Sequence, residues 1–270
     1  MVLFLSMTRY FPLESSVAVI TGTHSAGKST LLNNFEMGKV STLGIEGKDY
    51  DDDLGYGIVD SPIGPRALIT IPESARMLAD ACGRPDLLAE NYTLDFQLSI
   101  DAVLQFRIHE ATAITSQVSE RLVKEGLLPQ SDGADHPIVL SDRGPLDGVI
   151  YSEARSEGRD TNIINGFGRT GFHTEWMKSF VDLVIVADHT TVPFQADATR
   201  LADVDFRDRI ADSVLLNYSA LMPADSVRVV TGDKETRRSE VEALLAPLSI
   251  KNRLGRTSLS YDEWPSVRIV

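Results

Sequence analysis

The chain has 270 residues, 43% of them hydrophobic, and a formal net charge of −13. A chain of this length and composition can bury a substantial core in one large α/β domain or in two small ones. The acidic balance argues against a nucleic-acid surface, because neutralising phosphates takes a stripe of basic residues, and we expect no nucleic-acid partner.

The first segment, residues 1–15, is predicted to be an N-terminal extension. Its apolar run covers only four residues, with no leading basic segment and no small-residue cleavage site. We therefore expect neither a signal peptide nor a membrane span. The single cysteine, Cys82, can form no internal disulfide, which favours a reducing compartment and predicts a cytoplasmic protein.

Five segments are predicted strands, because they are short, rich in β-branched residues and continuously apolar. They cover residues 17–21, 67–71, 138–141, 181–187 and 227–231. Helices are predicted between them, at residues 28–36, 93–124, 201–221 and 235–246. Strands that alternate with helices predict an α/β fold with a doubly wound, three-layer parallel sheet.

The first predicted strand runs directly into GTHSAGKS, residues 22–29, which fits the phosphate-binding pattern G-x-x-x-x-G-K-[ST]. The glycines let backbone N–H groups point at an anion, and the following helix adds the positive end of its dipole. Lys28 is expected to span the β- and γ-phosphates of a nucleoside triphosphate, and Ser29 to bind Mg²⁺. The predicted nucleotide-binding residues here are Gly22, Thr23, His24, Ser25, Ala26, Gly27, Lys28, Ser29 and Thr30.

The predicted domain, residues 16–250, contains two irregular stretches. Residues 38–65 include three consecutive aspartates and several glycines, and they are predicted to form a mobile loop or a small hairpin insertion. Residues 158–172 are also rich in glycine, and residues 251–270 are predicted to be a C-terminal tail.

Polar side chains follow the second and third predicted strands immediately. PESAR contains Glu73 and Arg76, and DRG contains Asp142 and Arg143. Ligands of open α/β sheets bind beyond the carboxyl ends of the strands, so we expect these side chains on the same rim as the phosphate loop. A carboxylate there can order Mg²⁺ or accept a proton from an attacking hydroxyl, whereas the plain alternatives are helix caps and ion pairs.

Two further patterns are open to more than one explanation. In the long predicted helix, Gln97 and Asp101 belong to a row of polar residues spaced by four, which a solvated face would also explain. Arg200, Arg207 and Arg209 cluster after the fourth predicted strand. Arginines near a helix start can close over transferring phosphates, but ion pairs with neighbouring aspartates explain the cluster nearly as well.

Four elements in this order resemble the P-loop nucleoside-kinase-like ATPases: the phosphate loop, the strand with PESAR, the strand with DRG, and VPFQADATRLADVDFRDRIADSVLLNY. The chain is similar to the AAA-type subfamily that includes the nicotinamide riboside kinase domain of bacterial NAD regulators, over about residues 16–246. The resemblance implies ATP and Mg²⁺ as cofactors. It also implies Glu73 as the base at the acceptor hydroxyl, Asp142 near magnesium and Arg143 on the acceptor side.

The resemblance further implies a lid at residues 190–209. Arg207 would have a catalytic role in this lid, and Arg200 and Arg209 would bind the nucleotide. In the kinases that the chain resembles, the long helix lines the acceptor site. Gln97 there could read a base or sugar edge, and the other candidate substrate-binding residues are Asp101 and Arg76.

The resulting hypothesis is a small-molecule kinase that transfers the γ-phosphoryl group of ATP to a hydroxyl of a nucleoside-like acceptor. Its partners would be a nucleoside triphosphate and a small-molecule acceptor. The alternative is an ATP- or GTP-dependent switch or binding protein with weak hydrolysis. The chain has VADHTT and TGDKET where a guanine-selective GTPase has an Asn/Thr-Lys-x-Asp element, which disfavours classical GTPases. The sequence leaves open the acceptor, the preferred nucleotide and whether the protein is a homodimer.

Overall fold

A computed structural model of the chain describes residues 15–23, 26–45, 53–75, 78, 94–130, 136–155, 177–178, 180–192 and 204–248. The predicted glycine-rich stretch at 158–172 and the tail at 251–270 lie outside these residues, and so does nearly all of the extension at 1–15.

Within the described residues, seven strands form one sheet. They are β1 (Ser16–Thr21), β2 (Gly38–Lys39), β3 (Gly55–Val59), β4 (Arg66–Ile71), β5 (Ile138–Asp142), β6 (Leu183–Ala187) and β7 (Val227–Val230). Their order across the sheet is β2-β3-β4-β5-β1-β6-β7. The pairs among β4, β5, β1, β6 and β7 are parallel. The predicted α/β fold class is therefore confirmed as a mostly parallel seven-stranded sheet with flanking helices.

The sheet is mixed at one edge, where the stretch predicted as a loop or hairpin contributes β2 and β3. These two strands are antiparallel to each other, and β3 is also antiparallel to β4. The described part of this stretch therefore extends the main sheet, which the sequence did not predict. A Cβ at Gly57 would lie 1.9 Å from the Phe35 carbonyl oxygen, so β3 runs too close to the neighbouring backbone for a side chain there.

Five helices cover the two faces of the sheet in the described part of the chain. They are α1 (Lys28–Asn33), α2 (Leu94–Lys124), α3 (Asp147–Arg155), α4 (Val204–Leu221) and α5 (Lys234–Leu245). Alternate residues of β1 point to opposite faces. Val17 and Val19 pack in the apolar cluster formed with α2, α3 and α4, whereas Ala18 and Ile20 pack with α1 and α5. The three predicted layers are present.

No helix among the described residues is long and apolar enough to cross a membrane.

Helix α2 carries a buried histidine that links stability to pH. The ring of His109 makes an edge contact with the ring of Phe180, with centroids 4.7 Å apart. Burial lowers the pKa of His109 from 6.5 to about 4. The unfolded chain therefore takes up a proton near pH 6.5 that the folded protein accepts only near pH 4. The stability that neutral His109 contributes is complete above about pH 6.5 and is lost as the pH falls through 4.

We expect His109→Phe to reduce the loss of unfolding free energy between pH 7 and pH 5 by about 2 kcal/mol, because phenylalanine keeps the aromatic contact and does not titrate. Urea denaturation of the wild type and the variant at each pH measures this difference. Parallel pH profiles for the two proteins would contradict the prediction.

Candidate functional site

Three neighbouring parallel strands bring their carboxyl ends to one rim of the sheet. In the register, Ile20 of β1 lies opposite Asp142 of β5, and Ile71 of β4 lies opposite Ser141. The phosphate loop, Asp142 and the PESAR segment therefore start side by side. Lys28 is close enough to Asp142, Arg143 and Glu73 for all three charges to affect its pKa. The structure thus brings these four predicted catalytic residues together.

Two glycines of the phosphate loop have left-handed backbone conformations. Gly22 has φ +132° and Gly27 has φ +79°. A Cβ at Gly22 would also lie only 2.8 Å from the carbonyl oxygen of Ala187 in β6. Both positions therefore favour glycine, Gly22 for conformation and space together. His24 and Ser25, at the centre of the loop, lie outside the described residues.

The side chain of Lys28 is buried inside this loop. Its Nζ donates to the carbonyl oxygens of Gly22 at 3.0 Å and Thr23 at 2.6 Å, and lies 3.5 Å from the hydroxyl of Tyr151. Burial lowers the pKa of Lys28, and the negative charge of Asp142 acts in the opposite direction. The ammonium group therefore lies against the loop backbone that the sequence assigns to phosphates.

Ser29 and Asp142 form a hydroxyl–carboxylate pair beside the loop. The Ser29 hydroxyl donates to Asp142 Oδ2 at 2.5 Å. Asp142 is fully buried, and its Oδ1 has no hydrogen-bond partner in the part of the chain that the structure describes. Burial raises the pKa of Asp142 to about 6, while the positive charge of Lys28 lowers it.

The residues at this pair fit a magnesium ion. Mg²⁺ prefers oxygen ligands and is commonly held by one or two carboxylates together with substrate phosphates. The unpartnered Oδ1 of Asp142 and the hydroxyl of Ser29 are oxygen donors of this kind. Among the described residues, no group of three or more His, Cys, Asp or Glu side chains could hold a metal ion. A magnesium site here would therefore need further oxygen ligands, from phosphates or from water.

Arg143 has a strained backbone, and its side chain contacts Glu73, Gln97 and Tyr151 at the rim. With φ +103°, it is the one non-glycine residue at positive φ in the described ranges. Its guanidinium donates to Glu73 Oε1 and to Gln97 Oε1, each at 3.3 Å, and lies 4.8 Å from the centre of the Tyr151 ring. Strain of this kind persists where surrounding contacts fix the residue, and it is concentrated at functional sites.

Asp101 and a second carboxylate, Asp147, hold the start of α3. Asp101 Oδ1 accepts the backbone N–H of Gly148 at 3.1 Å, and Asp147 Oδ1 accepts the hydroxyls of Thr21 at 2.6 Å and Tyr218 at 2.9 Å. Both carboxylates are fully buried, and burial raises the pKa of each. The described contact of Asp101 is thus with α3, and its role in substrate binding stays a prediction.

Two of the predicted lid arginines lie near the start of α4 and contact backbone carbonyls. Arg207 donates to the carbonyl oxygens of His189 at 2.8 Å and Val192 at 3.2 Å. Arg209 donates to the carbonyl oxygen of Ala154 at 3.3 Å. Their roles at a nucleotide stay predictions.

Of the remaining predicted site residues, two lie outside the described part of the chain and two lie within it. Arg76 and Arg200 lie outside the described residues. Thr30 is exposed on α1, and Ala26 is buried in the phosphate loop.

Sequence reasoning missed two residues that contact the phosphate loop. Tyr151 on α3 donates its hydroxyl to the Gly22 carbonyl oxygen at 2.6 Å. Arg237 on α5 donates to the Ala26 carbonyl oxygen at 2.7 Å and to the Thr191 hydroxyl at 2.6 Å. The helical spacing of apolar residues in DGVIYSEAR could have identified α3, whereas no local pattern points to Arg237.

Comparisons with solved structures find similarities at low sequence identity. No family model and no curated protein matches the sequence. The structure is similar to thymidylate kinase from Candida albicans at 15% identity and a TM-score of 0.43, covering 86% of this chain and 91% of that one. It is also similar to the NadR protein in complex with NR at 14% identity and a TM-score of 0.40, covering 88% of this chain and 53% of that one. The chain therefore spans about half the length of that NadR chain, and its fold class rests on the topology of its own sheet.

Proposed function

We propose that the protein is an ATP- and Mg²⁺-dependent kinase that transfers the γ-phosphoryl group to a hydroxyl of a nucleoside-like acceptor. The observation that carries the proposal is the meeting of four charged side chains on one rim. The strand register places the phosphate loop, Asp142 and the start of PESAR side by side, and the Arg143 guanidinium lies 3.3 Å from Glu73 Oε1. Phosphoryl transfer needs mainly positioning, stabilisation of charge and one proton acceptor, and these groups supply such functions.

On the donor side, the phosphate loop would bind the triphosphate and Lys28 would neutralise its β- and γ-oxygens. Ser29 and Asp142 would hold Mg²⁺ together with phosphate oxygens. When bound, the ion supplies positive charge that stabilises the phosphoryl oxygens during transfer. The hydrogen bond between Ser29 and Asp142 supports this assignment, because it directs two oxygen donors to one position.

On the acceptor side, Glu73 would take the proton of the attacking hydroxyl. The acceptor oxygen forms a bond to the γ-phosphorus, the bond to the β–γ bridging oxygen breaks, and ADP leaves. Arg143 orients Glu73 and Gln97 by a hydrogen bond to each. The charge of Glu73 balances that of Arg143, so this pair by itself adds no net positive charge for a phosphate monoester acceptor.

The test is product analysis with ATP or GTP, Mg²⁺ and a panel of nucleosides, nicotinamide riboside and sugar-like metabolites. We expect a phosphorylated acceptor formed in equal amount with the nucleoside diphosphate. Lys28→Ala, purified in the same way, controls for contaminating kinases and should form no product. Slow release of phosphate to water with every acceptor would instead favour a nucleotide-dependent switch or binding protein.

A further inference from the structure

The Gly22 carbonyl at the start of the phosphate loop accepts two hydrogen bonds at once. One comes from the Tyr151 hydroxyl at 2.6 Å and the other from Lys28 Nζ at 3.0 Å. The two donors are themselves 3.5 Å apart. Lys28 also donates to the Thr23 carbonyl oxygen at 2.6 Å, so its ammonium group is engaged by the loop that it is expected to leave when phosphates bind.

Tyr151 is buried in this position between the phosphate loop and Arg143. Its side chain is 1% exposed, and its ring lies under the Arg143 guanidinium at 4.8 Å. Its helix, α3, is joined to β1 by the Thr21–Asp147 hydrogen bond and to α2 by the hydrogen bond from Gly148 N–H to Asp101. Burial raises the pKa of Tyr151, so the hydroxyl remains protonated and able to donate.

We propose that Tyr151 is a positioning residue for nucleotide binding: its hydroxyl keeps the Gly22 carbonyl hydrogen-bonded when the Lys28 ammonium turns from the loop to the phosphates. The inference rests on the nucleotide site of the proposed function. A buried carbonyl without a hydrogen-bond donor costs free energy, so its presence in the nucleotide-bound state would weaken nucleotide binding. With Tyr151 in place, Lys28 can leave Gly22 without creating such a group.

Tyr151→Phe should destabilise the nucleotide-bound protein more than the nucleotide-free protein. Without nucleotide, the Gly22 carbonyl of the variant still accepts from Lys28. With nucleotide bound, it loses both donors that the described part of the chain provides. The affinity for ATP should therefore fall by about 5- to 100-fold, which corresponds to one buried carbonyl left without a partner.

Tyr218→Phe is the matched control. Tyr218 is also a fully buried tyrosine, and its hydroxyl donates to Asp147 Oδ1 at 2.9 Å and accepts the backbone N–H of Leu146 at 3.2 Å. These partners do not change when Lys28 moves. The control variant should therefore lose stability without nucleotide and keep the ATP affinity of the wild type.

The experiment measures the Kd of ATP and of GTP in the presence of Mg²⁺ by isothermal titration calorimetry. It also measures the free energy of unfolding without nucleotide, and both measurements are made on all three proteins. We expect Tyr151→Phe to lose affinity and Tyr218→Phe to lose mainly stability. Should Tyr151→Phe not fold, Tyr151→Met also lacks the donor, fills irregular space and should show the same loss of affinity.

The other outcomes distinguish a failure of the proposed function from a failure of the role proposed for Tyr151. If the wild type binds neither ATP nor GTP, the proposed function fails at its nucleotide site. If the wild type binds ATP and the variant without the Tyr151 hydroxyl binds it equally well, the inference is overturned while the proposed function stands. Equal losses of stability and affinity in both tyrosine variants would also overturn it, because the hydroxyl would then act only on general packing.

Discussion

Replacing Glu73 with glutamine is expected to lower the turnover of phosphoryl transfer by about 10²- to 10⁴-fold while nucleotide affinity stays close to that of the wild type. Glutamine has nearly the same size and can still accept a hydrogen bond from Arg143. It cannot take the proton of an attacking hydroxyl. Single-turnover rates and the Kd of ATP, measured with an acceptor identified by product analysis, separate the two effects.

The position of Glu73 suits a proton acceptor, because its carboxylate is fixed by an ion pair and is still accessible to a substrate from solvent. It is 23% exposed, and its Oε1 accepts from the Arg143 guanidinium at 3.3 Å. The ion pair orients the carboxylate, which is the group that would accept the proton. The strained backbone of Arg143 is consistent with a residue whose side chain must reach this place.

Glu36→Gln provides the matched control for this variant. Glu36 is 18% exposed and pairs with a cation as Glu73 does, with its Oε1 2.6 Å from Lys39 Nζ. We assign it no role in transfer, so its replacement should leave turnover unchanged. Full transfer activity in Glu73→Gln would remove Glu73 from the role of base. A similar loss in both variants would mean that glutamate replacements act through general stability.

The central strands could be predicted because their signal is local. A parallel strand that is buried on both faces is a continuous apolar run, as in VAVIT and ALITI, and such runs need no knowledge of partners. Strand β3, GYGIV, lacks this signal, since two of its five residues are glycines. It is a strand because its backbone pairs with β4 and lies close to Phe35, and neither contact can be read from the segment itself.

The contrast between local signals and contacts distant in sequence also applies to the candidate site. Glu73 and Asp142 lie at or just after the ends of apolar strands, and Lys28 follows β1 at the end of the phosphate loop, so the sheet rim that collects strand ends predicts their meeting. Tyr151 and Arg237 reach the phosphate loop from helices that are distant in sequence. Arg237 is 211 residues away from the carbonyl that it contacts, and Tyr151 is 129 residues away. Contacts of this kind depend on how the helices pack, which spacing along the chain does not encode.

Asp142→Asn is expected to raise the Mg²⁺ concentration needed for half-maximal transfer by at least about 100-fold. Replacing groups that merely support a metal ligand costs about 10- to 100-fold in metal affinity, and Asp142 is assigned as a ligand itself. Asparagine retains one oxygen that can accept the Ser29 hydroxyl, but it lacks the negative charge. A titration of Mg²⁺ at fixed ATP and acceptor measures the shift.

The same variant should be no less stable than the wild type without ligands at pH 7.5. The pKa of Asp142 is about 6 in the folded protein, above its ordinary value of 3.8, because burial penalises the ionised form. The stability that this carboxyl contributes is complete below pH 3.8 and is lost as the pH rises through 6. At pH 7.5 the full cost is present, and a neutral amide removes it.

Asp182→Asn distinguishes this effect from the general consequence of replacing a buried aspartate. Asp182 is also buried, but it precedes β6 and its Oδ2 accepts the backbone N–H of Val17 at 2.9 Å, at the opposite end of the sheet from the phosphate loop. Its replacement should lower the free energy of unfolding and leave the Mg²⁺ requirement unchanged. If Asp142→Asn makes the protein more stable and also weakens its response to magnesium, the carboxylate of Asp142 serves binding rather than folding. An unchanged magnesium requirement in Asp142→Asn would remove Asp142 from the metal site, whatever happened to its stability.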